Sequence, residues 1–312
     1  MVGARRRGGG HRRGGLAWLL AHPDGPDPSS VLRVVADCLG ATMLGLALLR
    51  TDLFPDRSKP PVWRTAVVVG GLWTAVETAL LATAATESFG GGISRLSVSN
   101  FATFLTDITV GQLGVVTVAC IAAAVTYSLF AYRTAMPSNS ARQRGRCLSP
   151  VPVVVLTVVA LVARPVTGHM SQQVLGALFV SVHTVAASVW IGVLAAMALT
   201  LRARGAWAAV LPVYSRLAWW SVWILAVSGT VNAAVKLGGL LALFDTGYGR
   251  IVLGKTVLLV VLVVLARRLR ATWLVSVAAH RTKADESTVR AALHVCVLAV
   301  AFGSAAALAT TA

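Results

Sequence analysis

Long apolar runs, separated by short polar stretches, dominate the chain. They lie near 31–49, 65–86, 107–132, 150–167, 173–201, 215–236, 251–269 and 290–310. Each approaches the roughly 20 residues that a helix needs to cross a hydrocarbon core. Strands of a membrane barrel would be about half that length, with alternating polarity. The pattern therefore predicts an all-α fold, a polytopic transmembrane helix bundle with about eight spans. The fourth run is the weakest, because Arg164 and Pro165 cut it short. No repeat of solenoid length is apparent.

Ahead of the first run, residues 1–30 are basic and Gly-rich. "ARRRGGGHRRGG" leads into the short apolar "LAWLLA". This looks like a signal segment whose core is too short to span, or a tail. "HPDGPDPSS" then reads as an exposed loop. The expected organisation is this segment, an N-terminal membrane half over 31–149 with three spans, and a second half over 150–312 with five.

Composition agrees with a bilayer as solvent. Hydrophobic residues make up 56% of the chain and charged residues 12%, against about a quarter charged in soluble domains. The mean hydropathy is +0.76. Lys and Arg number 28 against 11 Asp and Glu, a net charge of +17. In a soluble protein that would suggest nucleic acid, but no soluble domain is there to present a basic patch. The cations fall instead into alternate loops: Arg50, Arg57, Lys59 and Arg64; Arg133 to Arg146; Arg202, Arg204 and Arg216; Arg267 to Arg290. The positive-inside rule makes these loops cytoplasmic. A multi-pass protein of the cytoplasmic membrane follows, its first span starting outside and its C-terminus outside. The basic tail at 5–13 runs against this unless it is cleaved or inserted separately.

The four cysteines, Cys38, Cys120, Cys147 and Cys296, form no C-x-x-C pair, which argues against a zinc site or disulfide framework. Core packing is the expectation for Cys120 and Cys296. One stretch, "GYGRIVLGKT" from Gly247 to Thr256, fits the phosphate-loop pattern G-x-x-x-x-G-K-[ST]. Ile251, Val252 and Leu253 are too bulky to bring backbone amides to a phosphate, and a membrane span follows. No nucleotide is expected there.

Polar groups inside a bilayer are costly, so each is a candidate functional residue. His183 sits mid-span in "GHMSQQVLGALFVSVHTVAASVWIGVLAAM", with Trp190 two turns on along the same face. His169 and Met170 stand at the outer mouth, about 21 Å from His183 along a helix. Imidazole and thioether both suit copper, so His183, His169 and Met170 are candidate metal ligands. The bland alternative for His183 is a hydrogen bond across helices. His294 and Cys296, two residues apart, face different sides of the last span. Glu77, one turn after Trp73, is a central carboxylate that could handle protons or pair with a cation. Asp107 could cap the third span. Trp219, Trp220 and Trp223 read as packing or interfacial residues.

"HTVAASVWIGVL", "YSRLAWWSV…VSGTVNAAVKL" and "TGYGRIVLGK" resemble, in order and spacing, segments of the copper-resistance protein D (CopD) family. The strong resemblance covers about 168–270, and the upstream half is similar to longer actinobacterial members. It implies an integral membrane protein in copper handling. It points to His183, Trp190, Gly192, Tyr248, Gly249 and Lys255, and less directly to His169. Two departures stand out: Val193 replaces the second Gly of the family's W-x-G-G-L, and a Met-rich relay is absent.

The expected function is copper transport or copper resistance, not catalysis. Copper ion and the lipid bilayer are the expected partners, with an extracytoplasmic copper-binding protein as a further one. Two alternatives stand: a haem-binding or redox membrane protein with His183 and His294 as axial ligands, or an assembly partner of a copper enzyme.

Overall fold

The computed structural model describes residues 29–55, 60–90, 97–135, 148–166, 174–237, 247–274 and 284–309. Over them the chain is helical: α1 (Ser29–Leu48), α2 (Pro60–Ser88), α3 (Val98–Asp107), α4 (Thr109–Ala135), α5 (Val151–Val166), α6 (Val174–Thr200), α7 (Arg204–Leu237), α8 (Gly247–Leu269) and α9 (Ala284–Ala309). A π-helical turn, Arg270–Leu274, extends α8. Among the described residues, five segments are long and apolar enough to cross a membrane: Val31–Leu48, Val62–Ser88, Thr109–Ala135, Gly176–Thr200 and Arg204–Val231. Val151–Ala163 is apolar but shorter, as Arg164 and Pro165 foretell. The fold is an all-α membrane helix bundle.

Without water, backbone polar groups must be satisfied within the element, which leaves the helix as the solution for these runs. Hydroxyls embedded in them follow the same logic by donating to carbonyls one turn back. Thr117 donates to the Leu113 carbonyl at 2.8 Å, Ser128 to Ala124 at 2.7 Å and Thr200 to Ala196 at 2.7 Å. The polarity of the bundle is that of a lipid-soluble object. Val68, Leu72, Val115, Val116, Phe130 and Val155 are among its exposed side chains, a surface that lipid tails cover and water would not tolerate at this extent.

α1 is the central helix, packing on α2, α5, α6 and α9. One core of buried side chains runs through both halves of the chain, from Ala36 to Leu298. The closest approach is between α1 and α6. A methyl group built on Gly45 would land on the carbonyl of Gly192, and one built on Gly192 would land on the carbonyl of Ala41. Two backbones come this near only where side chains are missing, the device by which membrane helices gain van der Waals contact. Beside this crossing, Gly40 gives room to the indole of Trp73 from α2 and to Leu161 from α5.

Three elements differ from the sequence expectation. α3 lies in a stretch expected to be loop. Ser97 caps it by accepting from the Asn100 amide at 3.1 Å, and the buried Phe104 pins it where Gly111 of α4 leaves space. Asp107 therefore ends α3, exposed, rather than leading α4. α7 starts at Arg204, well before the apolar run near 215, and passes through Pro212. Finally, "GYGRIVLGKT" is helical from Gly247 onward. The Thr256 hydroxyl donates to the Val252 carbonyl at 2.8 Å within that helix. The stretch is helix rather than a phosphate loop, with Gly249 in the first turn.

α6 and α7 pack together and are joined by only three residues, 201–203, so they run antiparallel. The described chain ends flanking 49–59, 136–150, 201–203 and 275–283 carry Arg50, Arg133, Arg202, Arg204, Arg267 and Arg268. Spans that alternate in direction along the chain would put these at one end of the bundle, called the basic end below.

Candidate metal-pathway residues and an aromatic cavity

α6 directs His183 and Trp190 toward α7, on one face, as their seven-residue spacing requires. His183 Nδ1 lies 2.8 Å from Ser228 Oγ. Ser228 is buried, and its Oγ is 2.6 Å from the Ile224 carbonyl. A hydroxyl has one proton. With that proton given to Ile224, Ser228 accepts from His183, which must then carry its hydrogen on Nδ1. The imidazole is thereby held in one orientation across the α6–α7 interface. Gly229 keeps the contact open, since a methyl group there would stand 3.7 Å from His183 Cε1. The expected cross-helix hydrogen bond is present, and it is the kind that orients a metal ligand.

Nearer the basic end, a cavity of about 400 Å³ opens between α6, α7, α8 and α9. Trp190, Tyr214, Trp219, Trp273, Arg267 and His294 line it. The buried Tyr214 hydroxyl donates to the Trp190 carbonyl at 3.3 Å, tying α7 to α6. Trp273 donates to the Ser287 hydroxyl at 3.3 Å and lies 5.8 Å from the Trp207 ring. The Arg267 guanidinium sits 5.2 Å from the Trp219 ring centroid, a cation–π distance. Of the two histidines proposed as a haem pair, only His294 lines this cavity.

The other predicted residues fall elsewhere. Glu77 is buried on α2 and accepts from the Trp73 indole at 3.2 Å. His169 and Met170 lie outside the described residues. Tyr248 and Lys255 belong to α8, their side chains outside what is described. Cys120 packs against the core, but Cys296 is exposed on α9. The core placement expected for it fails because its neighbour at i−2, His294, takes the inward face. Trp219, expected to pack or to sit at the interface, lines the cavity, while Trp220 and Trp223 are exposed. Among the described residues, no three His, Cys, Asp or Glu side chains gather as a metal site.

Residues 208–312 match the family CopD, described as Copper resistance protein D. Over this stretch the chain is similar to the CopD family. No curated protein and no solved structure matches the chain. The CopD match takes in nearly all of α7, and α8, the π turn and α9. It includes Ser228, Tyr214, Arg267, Trp273 and His294, and it begins after α6, which carries His183 and Trp190. The resemblance expected over 168–270 thus overlaps the CopD match from 208, and the match continues to the C-terminal end of α9. The apolar helices make this a multi-pass membrane protein, and its C-terminal third is similar to copper resistance protein D.

Sequence reasoning missed Tyr214 and Trp273. Tyr214 opens the "YSR" stretch but gives no periodic signal of its own. Trp273 lies amid Arg267, Arg268, Arg270 and Arg281, a loop by composition. Gly192, carried over from the CopD pattern, has a structural reason in its backbone contact with α1.

Proposed function

We propose that this protein moves copper across the cytoplasmic membrane, with His183 as a ligand on the way. The observation that supports this most is the Ser228 hydroxyl on His183 Nδ1. It fixes the orientation of an imidazole on an apolar helix, and imidazole nitrogen suits copper. His169 and Met170, just ahead of α6 in the chain, would receive the ion at the outer mouth from an extracytoplasmic copper-binding protein. The basic end faces the cytoplasm in this reading, so the direction is uptake and the C-terminus is outside. In this reading no nucleotide drives the step. Movement is passive or coupled to an ion, with Glu77 as the coupling carboxylate.

Copper uptake in cells producing His183→Ala, compared with wild type at equal protein abundance, tests this. Uptake falls to the level of cells without the protein, and purified His183→Ala retains less copper. Wild-type uptake by the variant overturns the reading.

A further inference from the structure

The cavity near the basic end does not suit the cargo. Its lining includes one imidazole, a guanidinium and no carboxylate or sulfur. A copper ion entering it would meet the positive charge of Arg267 and a single nitrogen ligand, a poor site for any cation. Its volume of about 400 Å³ falls within the range of small-molecule sites.

We infer that this cavity binds a membrane-soluble ring compound bearing oxygen acceptors, the chemistry of a quinone head group. Three indoles and a phenol form its walls, surfaces that stack on a flat conjugated ring. Its polar groups are donors. Arg267 carries guanidinium N–H groups, and it makes no ion pair among the described residues. The His294 imidazole, on the cavity wall, has no hydrogen-bond partner among the described residues. Ser215 adds a hydroxyl. The Tyr214 proton is already committed to the Trp190 carbonyl. Such a set satisfies carbonyl oxygens and leaves a cationic head without a counter-charge.

The frame is also fixed rather than incidental. The π turn at Arg270–Leu274 brings Trp273 back toward α9, where Ser287 holds its indole and Trp207 packs on it. Single π turns inside helices recur at functional sites. The cavity's place near the basic end puts a bound head group near the membrane interface, with room for an apolar tail in the bilayer.

This inference is independent of the copper reading. The test titrates decyl-ubiquinone into the full-length protein in zwitterionic nanodiscs and follows tryptophan fluorescence. Saturable quenching is expected in wild type and in His183→Ala. Ala218→Phe, which fills the cavity from α7, should weaken binding by about tenfold or more, as should His294→Leu. If Ala218→Phe does not fold, the exposed Arg267→Gln carries the comparison. Quenching that does not saturate, or that is unchanged in these variants, overturns the inference. So does equal competition by phosphatidylglycerol, which would make the cavity a site for lipid phosphate.

Discussion

His183 Nδ1 and Ser228 Oγ stand 2.8 Å apart across the α6–α7 interface, and the Ser228 proton goes to the Ile224 carbonyl. In the copper reading proposed above, the serine would act on the metal through the histidine, by fixing ring orientation. Outer-shell partners of this kind are worth about 10–100-fold in metal affinity. Ser228→Ala should lower copper affinity within that range while leaving the helix intact, since it removes only the hydroxyl. Competition against a chromogenic copper chelator measures it on purified protein. Unchanged affinity with a folded variant removes Ser228 from the site.

Gly45 and Gly192 set the distance between α1 and α6. Added methyl groups would fall on backbone carbonyls, which no change of rotamer relieves. Gly192→Ala should therefore separate the helices and cost about 1–3 kcal/mol, the usual penalty of overpacking. Gly71→Ala is the control: it is exposed, with nothing within 4 Å of the added methyl. Its change should stay within about 0.5 kcal/mol. Thermal unfolding in detergent, followed by circular dichroism, separates the two. Equal melting would show that α1 and α6 have slack at this crossing.

These two interfaces show what the sequence discloses and what it hides. Period and length announce the helices, because a bilayer accepts few alternatives to long apolar runs. They do not announce partners. Glycine at 192 is visible in the chain, but its contact is Gly45, some 150 residues earlier by number. That pairing follows from the packing of α1 on α6. Helix α3 was hidden for a different reason: its ten residues are short and mixed in polarity, so a loop reading competes on equal terms. Of the candidate site, His183 is legible because a histidine mid-span is costly. Ser228 is not, since serines in apolar helices often serve only close packing. The cavity is least legible of all, built from single residues of α6, α7, α8, the π turn and α9.

Glu77 accepts from the Trp73 indole at 3.2 Å on the buried face of α2. Glu77→Gln preserves the shape and leaves an amide oxygen for the indole, but it cannot release a proton. Stability should change by less than about 1.5 kcal/mol. If Glu77 couples a proton to copper, uptake by Glu77→Gln becomes insensitive to external pH, while wild type retains its dependence. Copper uptake measured at several external pH values in both strains decides it. Parallel profiles would leave Glu77 as a structural acceptor for Trp73.

Trp273 is held to α9 by one hydrogen bond, its indole N–H to the Ser287 hydroxyl at 3.3 Å, and Ser287 is only 1% exposed. Both groups are out of reach of bulk water, so loss of the acceptor leaves a buried donor unsatisfied. Ser287→Ala should cost about 1–3 kcal/mol and loosen the wall that Trp273 gives the cavity. Ser287→Thr keeps the hydroxyl and should retain most of that stability. Thermal unfolding of the three proteins gives the stability order. The emission maximum of tryptophan reports whether Trp273 has moved. Melting of Ser287→Ala at the wild-type temperature, with an unchanged spectrum, would show that the ring contact with Trp207 at 5.8 Å suffices to hold Trp273 in place.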